Sequence, residues 1–336
     1  MKRLLAPVVL LATLIAPITA ALGDEPRDGC ENFDHDPAQR IADCTAALED
    51  ANLAKDERAI LLNHRAQAHS DRAEYAKAQA DFAAALTDAS ALDRLTGALL
   101  SPFVGGNNID ATQPYGAALL GKAWSEISLA QYDQAAADAR SAGDWFRSPP
   151  WDSEVYTALA FIDREKGDTA AAEADYRQSL EIDPENDNSE FFYAVLLFDL
   201  GHNDEALSRL QHSIARDNRY GYKALWVYLH APNRDAEGKP ALRAYLATVE
   251  GDAWPAPLAR YYLGEIDADA VRTIAAQGAT PTKVQENLCE TEYYFAEALR
   301  FAGKDDEARR HYQAAVDTGI TWYIEYMSAK HLLALH

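Results

Sequence analysis

Cysteine and methionine are scarce in this chain, which has only 3 cysteines and 2 methionines among 336 residues. Basic residues are also few, since 31 lysines and arginines face 53 aspartates and glutamates, which gives a net charge of −22. Such a balance disfavours nucleic acid and anionic lipid as partners, because their phosphates require basic side chains. The excess of acidic residues is typical of a solvated outer surface, and it is also compatible with a basic partner.

The sequence also lacks the common catalytic and cofactor motifs. It contains no Gly-x-Ser-x-Gly, no His-Glu-x-x-His, no Cys-x-x-Cys and no Gly-x-Gly-x-x-Gly after a strand. His64 and His69 are five residues apart on one predicted helix, about 140° around its axis, which is poor geometry for a shared metal. We therefore predict no enzymatic activity, no metal site and no cofactor.

The amino terminus has the pattern of a secretory signal peptide, predicted at residues 1–21. Two basic residues precede an apolar run from Leu4 to Ile18, and small residues follow as far as Ala21. The run is too short to span a bilayer, and every later apolar stretch is interrupted by charge. We expect an exported, periplasmic protein in which residues 22–336 form one domain.

An exported protein meets an oxidising compartment, where disulfides persist. Cys30 and Cys44 are the expected pair, because Cys44 lies in a helix predicted to begin at Asp36 and Pro37, and Cys30 lies just before it. Two free buried thiols are the alternative. Cys289 is then unpaired and is expected to be a small buried residue, with an intermolecular disulfide left open.

A helix-pair register recurs about every 34 residues in the sequence. The clearest copy is Ala160, Gly167, Ala172, Tyr176, Leu180 and Pro184. The small residue where the second helix crosses the first recurs at Ala78, Ala135, Ala172, Ala206 and Ala308. A fixed period predicts an all-α solenoid of stacked hairpins. An insertion loop at 89–114, a degenerate helical middle at 220–281 and a carboxy-terminal repeat with a capping helix at 282–336 complete the predicted organisation.

This register resembles the tetratricopeptide repeat. A second resemblance rests on the order of Leu225-Trp226-Val227-Tyr228-Leu229, Trp254, Arg260-Tyr261-Tyr262-Leu263-Gly264, Glu290-Thr291-Glu292-Tyr293-Tyr294-Phe295 and Ile324-Glu325-Tyr326. That order is similar to the bacterial new lipoprotein I family, over roughly residues 56–335. The resemblance implies a homodimeric envelope adaptor without enzymatic activity, which brings peptidoglycan hydrolases together with a protease. The cleavage region at 20–23 has no lipobox cysteine, so no lipid anchor is expected.

The tetratricopeptide resemblance also implies which side chains line the concave face, because the first helix of each pair lies there. The inward positions that we assign to partner binding are Asn63, Gln67, Trp124, Phe161, Arg164, Phe191, Phe198, Tyr293 and Arg300. Aromatic anchors with interleaved arginines suit a bound peptide segment. Aromatic residues at helical spacing also fill hydrophobic cores, so both roles stay open at this stage.

The sequence thus predicts a periplasmic adaptor that recruits envelope enzymes through its concave groove. A second interpretation is a dimeric structural scaffold of the cell envelope whose outer face binds. A third is an unrecognised hydrolase, which no residue spacing supports.

Overall fold

The computed structural model describes residues 26–33, 35–89, 114–146 and 151–335. The signal peptide predicted at 1–21 and all but the ends of the insertion predicted at 89–114 lie outside these residues. The described chain forms seventeen α-helices and one π-helical turn, Arg234–Gly238, with no β-strand among them. The predicted all-α class is therefore confirmed. No described helix has the length and apolar character needed to cross a membrane.

The helices follow one another with short connections. They are α1 Pro26–Glu31, α2 Pro37–Ala47, α3 Lys55–Asp71, α4 Tyr75–Asp88, α5 Pro114–Ser128, α6 Tyr132–Gly143, α7 Trp151–Glu165, α8 Thr169–Ile182, α9 Asp187–Asp199, α10 Asn203–Arg216, α11 Gly221–His230, α12 Lys239–Leu246, α13 Ala256–Leu263, α14 Ala268–Ala275, α15 Pro281–Phe301, α16 Asp305–Asp317 and α17 Ile324–Leu335. The four helices α11 to α14 occupy the middle segment that was predicted to be helical without the repeat register.

Five antiparallel hairpins carry the repeat: α3–α4, α5–α6, α7–α8, α9–α10 and α15–α16. The crossing residue is buried in all five, and the residues are Ala78, Ala135, Ala172, Ala206 and Ala308. Alanine at the crossing lets two helix axes approach closely, whereas a larger side chain would hold them apart. The register read from the sequence is thus the packing register of the hairpins.

Each of these hairpins turns through one residue with a left-handed backbone. Gly167, Gly201 and Gly303 have φ angles of +82°, +81° and +71°, but Ala73 and Ala130 occupy the same place with φ of +56°. In all five turns the next residue donates its N–H to the carbonyl five positions earlier, at 2.8–3.0 Å. A Cβ is strained in this conformation, so the two alanines raise the free energy of the first two hairpins.

The solenoid closes on itself, because its last hairpin contacts its first. Tyr75 at the start of α4 donates its hydroxyl to Glu286 of α15 at 2.6 Å. Thr280, the N-cap of α15, donates to the carbonyl of Arg72 at 2.9 Å, and the rings of Tyr75 and Trp322 lie 5.3 Å apart. α15 and the segment before α17 lie on the inner curve, so they fill part of the predicted concave groove.

The sequence of α15 explains why the inner curve is filled. Its buried residues include Glu286, Cys289, Tyr293 and Glu297, and successive buried positions cover every side of the helix axis. A helix that is buried all round requires neighbours on all sides, which an end position on an open solenoid does not provide. The inner curve supplies those neighbours.

The amino-terminal segment is joined to the first hairpin by a disulfide between Cys30 and Cys44, as expected. Both sulfur atoms are buried, and Arg40 of α2 pairs with Asp71 of α3 at 3.1 Å. Cys289 is a free, buried thiol, and burial raises its pKa well above the ordinary value. A thiol of this kind packs as a small apolar side chain.

We predict that Ala130→Gly stabilises the protein by about 0.5–1 kcal/mol. Glycine adopts a positive φ without the steric cost of a Cβ, and its greater flexibility in the unfolded chain offsets part of that gain. The reverse change, Gly201→Ala, should destabilise by about 1 kcal/mol. Urea unfolding followed by circular dichroism measures both changes.

The control for this prediction is Ala137→Gly, an exposed position inside α6. It should destabilise by about 0.5–1 kcal/mol, because the helical backbone there gains nothing from glycine. A loss of stability for Ala130→Gly that equals the loss for Ala137→Gly would show that the turn carries no strain.

Candidate functional site

The closed inner curve surrounds a cavity of about 200 Å³, which we call the inner cavity. Aromatic rings form most of its wall. Its lining residues are Trp124, Ile127, Ser128, Phe161, Phe191, Phe192, Tyr220, Tyr222, Glu290, Trp322, Tyr323, Ile324 and Glu325. A volume of this size accommodates one side chain or chain terminus and is below the 300–1,000 Å³ that is typical of drug-sized ligand pockets.

The repeat brings three of the predicted partner-binding residues into this wall. Trp124 of α5, Phe161 of α7 and Phe191 of α9 lie on the inward faces of successive first helices, so stacking of the hairpins places them side by side. The rings of Trp124 and Phe161 are 5.9 Å apart, and Phe161 meets Phe192 at 5.5 Å. One wall of the inner cavity is therefore a continuous aromatic surface.

Tyr220 marks the place where the inner cavity reaches the protein surface. Its side chain is 45% exposed, which makes it one of three large hydrophobic residues exposed within the described chain. Its ring contacts Phe191 at 5.3 Å and Tyr222 at 5.1 Å, so it belongs to the aromatic wall.

Two buried carboxyl groups complete the wall from the carboxy-terminal side. Glu290 of α15 accepts a hydrogen bond from the Tyr222 hydroxyl, at 2.8 and 2.9 Å to its two oxygens, and another from the Trp254 indole. Glu325, at the start of α17, accepts from the Tyr294 hydroxyl at 3.1 Å through Oε1. Each glutamate is only 2% exposed.

Burial makes both of these groups weaker acids than usual. Burial, together with the nearby charge of Glu325, raises the pKa of Glu290 to about 8, while Lys283 acts in the opposite direction. Burial raises the pKa of Glu325 to about 7 against the opposing effects of Tyr294 and Arg164. Neither carboxylate has a basic side chain within 4.0 Å in the described chain. Lys283 pairs instead with Glu286 at 3.0 Å, and Arg164 pairs with Asp199 at 2.6 Å.

Three predicted groove residues pack in the interior. Phe198 stacks on His230 with ring centroids 3.7 Å apart, and Tyr293 faces Trp226 at 6.1 Å. Arg164 is 8% exposed and is held by its ion pair with Asp199. Phe198 and Arg164 are thus held by the helices that follow them, α11 and α9, and Tyr293 of α15 packs against α11. Their role in this structure is packing and ion pairing.

The remaining predicted residues lie away from the inner cavity. Asn63 of α3 is buried, while Gln67 on the same helix is exposed and donates to Asp71 at 3.0 Å. Arg300 is 42% exposed at the end of α15 and pairs with Glu297 at 2.5 Å. The structure thus brings Trp124, Phe161 and Phe191 together and leaves these three apart.

Sequence reasoning missed both buried glutamates and the tyrosine at the cavity opening. Glu290 and Glu325 stand inside the aromatic segments that carry the second resemblance, and each is flanked by large apolar or aromatic residues within four positions. Apolar and aromatic neighbours on a helix indicate that a carboxylate among them is buried too. Because buried carboxylates are rare, such a residue is a candidate for a functional role. Tyr220 lies just before α11, where no pattern in the sequence indicates a role at the cavity.

Comparison with known families finds a tetratricopeptide repeat match over residues 164–225. The matched segment runs from the end of α7 into α11 and contains two lining residues of α9 as well as Tyr220 and Tyr222. The chain therefore contains a tetratricopeptide-repeat segment. Repeats of this kind use the concave side of the solenoid to bind other proteins.

Two solved structures are similar to this chain. One is a tetratricopeptide repeat protein from Parabacteroides merdae ATCC 43184, with 14% identity and a TM-score of 0.41, and the match covers 89% of this chain and 92% of that one. The other is the P58(IPK) TPR domain, with 15% identity and a TM-score of 0.28, and here the coverage is 89% and 94%. None of the curated proteins compared matches the sequence. The resemblance to new lipoprotein I stays a prediction.

We predict that Glu290→Gln reduces the pH dependence of stability. The folded protein holds the Glu290 proton up to a pH of about 8, whereas the unfolded chain releases it near 4.5. The unfolded state therefore binds fewer protons between these values, and stability falls as the pH rises. The glutamine variant cannot ionise, so relative to the wild type it should gain on the order of a few kcal/mol between pH 5 and pH 8.

Thermal unfolding of both proteins at pH 5, 6, 7 and 8 measures this difference. Glu181→Gln, an exposed position on α8, is the matched control and should follow the wild type. Parallel curves for Glu290→Gln and the wild type would mean that Glu290 is ionised in the folded protein across this range.

Proposed function

We propose that this protein is a periplasmic adaptor that binds other proteins and recruits peptidoglycan-remodelling or proteolytic enzymes of the cell envelope. The observation that carries the proposal is the inner cavity, whose aromatic wall is built by repeat helices in the place where solenoids of this kind bind partners. Aromatic anchors in a concave, largely desolvated wall are typical of binding hot spots.

The compartment rests on the amino-terminal sequence and on the disulfide. The pattern of residues 1–21 is that of a secretory signal peptide. The disulfide between Cys30 and Cys44 suits an oxidising compartment, because such bonds are rare in proteins of the reducing cytosol. Both observations support export to the periplasm.

The size of the inner cavity defines how the partner is held. A long peptide laid along an open concave face would need the space that α15 and the segment 322–325 occupy. A volume of about 200 Å³ instead takes one inserted side chain, with the rest of the partner lying on the surface around Tyr220. This mode gives the adaptor a single anchor point.

We predict that Tyr220→Ala weakens partner binding at least tenfold. The change removes an exposed aromatic ring that contacts Phe191 at the cavity. Because the side chain is exposed, its removal should change the stability of the fold little. The measurement is affinity capture from an envelope extract, followed by titration calorimetry with each purified partner that the wild type retains.

The matched control is Leu200→Ala, which removes another exposed hydrophobic side chain, 39% exposed at the end of α9 and outside the inner cavity. It should bind as the wild type does. Equal affinities for all three proteins, with unchanged circular dichroism spectra, would place the binding surface elsewhere and reject the proposal.

A further inference from the structure

We propose that the inner cavity recognises a lysine side chain of the partner, with its ammonium group between Glu290 and Glu325 and its methylene chain along the aromatic wall. The inference rests on the proposed function and deepens it, since it names the chemistry of the group that the adaptor binds. The site is supported by two buried carboxyl groups without basic partners, a cavity of matching volume and an aromatic wall.

The buried glutamates of the described chain differ in whether a basic side chain pairs with them. Four have a basic partner: Glu126 with Lys122 at 2.5 Å, Glu190 with Arg209 at 3.5 Å, Glu286 with Lys283 at 3.0 Å and Glu297 with Arg300 at 2.5 Å. Only Glu290 and Glu325 lack one, and these two are the glutamates that line the inner cavity. Both buried carboxyl groups without a basic partner thus lie in the wall of the same cavity.

The hydrogen bonds of the two glutamates leave room for a ligand. Among the residues that the structure describes, the donors to Glu290 are Tyr222 and Trp254, which are both neutral. Glu325 is 98% buried, and its carboxyl group accepts from the Tyr294 hydroxyl through Oε1 and from its own backbone N–H, neither of which is a cation. An ionised carboxylate in this position is costly until a cation reaches it.

The aromatic wall selects the class of cation. Trp124, Phe161 and Tyr222 line the cavity, and aromatic rings attract an alkylammonium group and cover its methylene stem. A metal ion is disfavoured, because no group of three or more histidine, cysteine or acidic side chains is placed to hold one among residues 26–33, 35–89, 114–146 and 151–335. An organic cation of lysine size fits both the walls and the charge.

The charge of the whole protein favours the same kind of partner. A net charge of −22 attracts basic segments over a long range and repels acidic ones. The raised pKa values of Glu290 and Glu325 support the assignment, because an arriving ammonium group offsets the cost of burying the ionised carboxylates.

The experiment compares two probes that differ only in charge. Nα-acetyl-lysine N-methylamide carries the ammonium group, and Nα-acetyl-norleucine N-methylamide has a similar alkyl chain without it. Titration calorimetry with the full mature chain should show at least tenfold tighter binding of the lysine probe. Glu325→Gln and Glu290→Gln should each weaken the lysine probe at least tenfold and leave the norleucine probe unchanged.

Glu181→Gln is again the matched control, since it removes one exposed carboxylate outside the inner cavity and should bind the lysine probe as the wild type does. Circular dichroism and thermal unfolding establish that the glutamine variants fold. The comparison of the two probes on the wild type needs no variant, so it tests the inference even where a variant fails to fold.

Equal binding of both probes, or no binding of the lysine probe, would overturn the inference. Tighter binding of the corresponding arginine probe would also overturn the assignment to lysine. The proposed function fails separately, through unchanged partner capture by Tyr220→Ala. Capture that depends on Tyr220 but not on Glu290 or Glu325 would retain the adaptor and reject the lysine site.

Discussion

The burial of α15 inside the inner curve is the constraint on which the rest of the structure depends. Tyrosine hydrogen bonds link this helix to four different elements. Glu286 accepts from Tyr75 of α4, Glu290 from Tyr222 of α11 and Glu297 from Tyr312 of α16, while Tyr294 donates to Glu325 of α17. A buried polar group must be hydrogen-bonded, so these contacts fix the rotation of α15 as well as its position.

If the proposed function is right, this constraint restricts partner binding to one point on the inner curve instead of the length of the solenoid. The stacked hairpins still direct Trp124, Phe161 and Phe191 inward, but α15 and residues 322–325 leave only about 200 Å³ before them. Specificity at such a site comes from the chemistry of one inserted group, because the area available for other contacts inside the curve is small. The side chains that line the inner cavity therefore restrict the chemistry of the proposed partner more than the shape of the solenoid does.

The sequence predicts the local structure well, because each hairpin is determined within its own 34 residues. Ala172 and Gly167 define a crossing and a turn without reference to distant residues, and the aromatic positions of the first helices follow from the same register. Closure is not predictable in this way. It depends on small rotations between successive hairpins and on contacts such as Tyr75 with Glu286, which are 211 residues apart. The repeat register places Phe198, Tyr293 and Arg164 on inward positions, but it does not predict their packing against Trp226 and His230 or the ion pair with Asp199.

Glu290 and Glu325 depart from the rule that a buried carboxyl group is paired with a basic side chain. A cavity and a pair of buried carboxyl groups without basic partners each lower the stability of the folded chain. An aliphatic side chain at either position would remove part of both costs, and the four ion-paired glutamates show that the same fold accommodates basic partners for buried acids. Sequences depart from such rules chiefly at functional sites, where binding offsets what folding loses. Two departures that meet in one cavity are a stronger indication of a binding site than either feature alone, and they support the inner cavity as the proposed site.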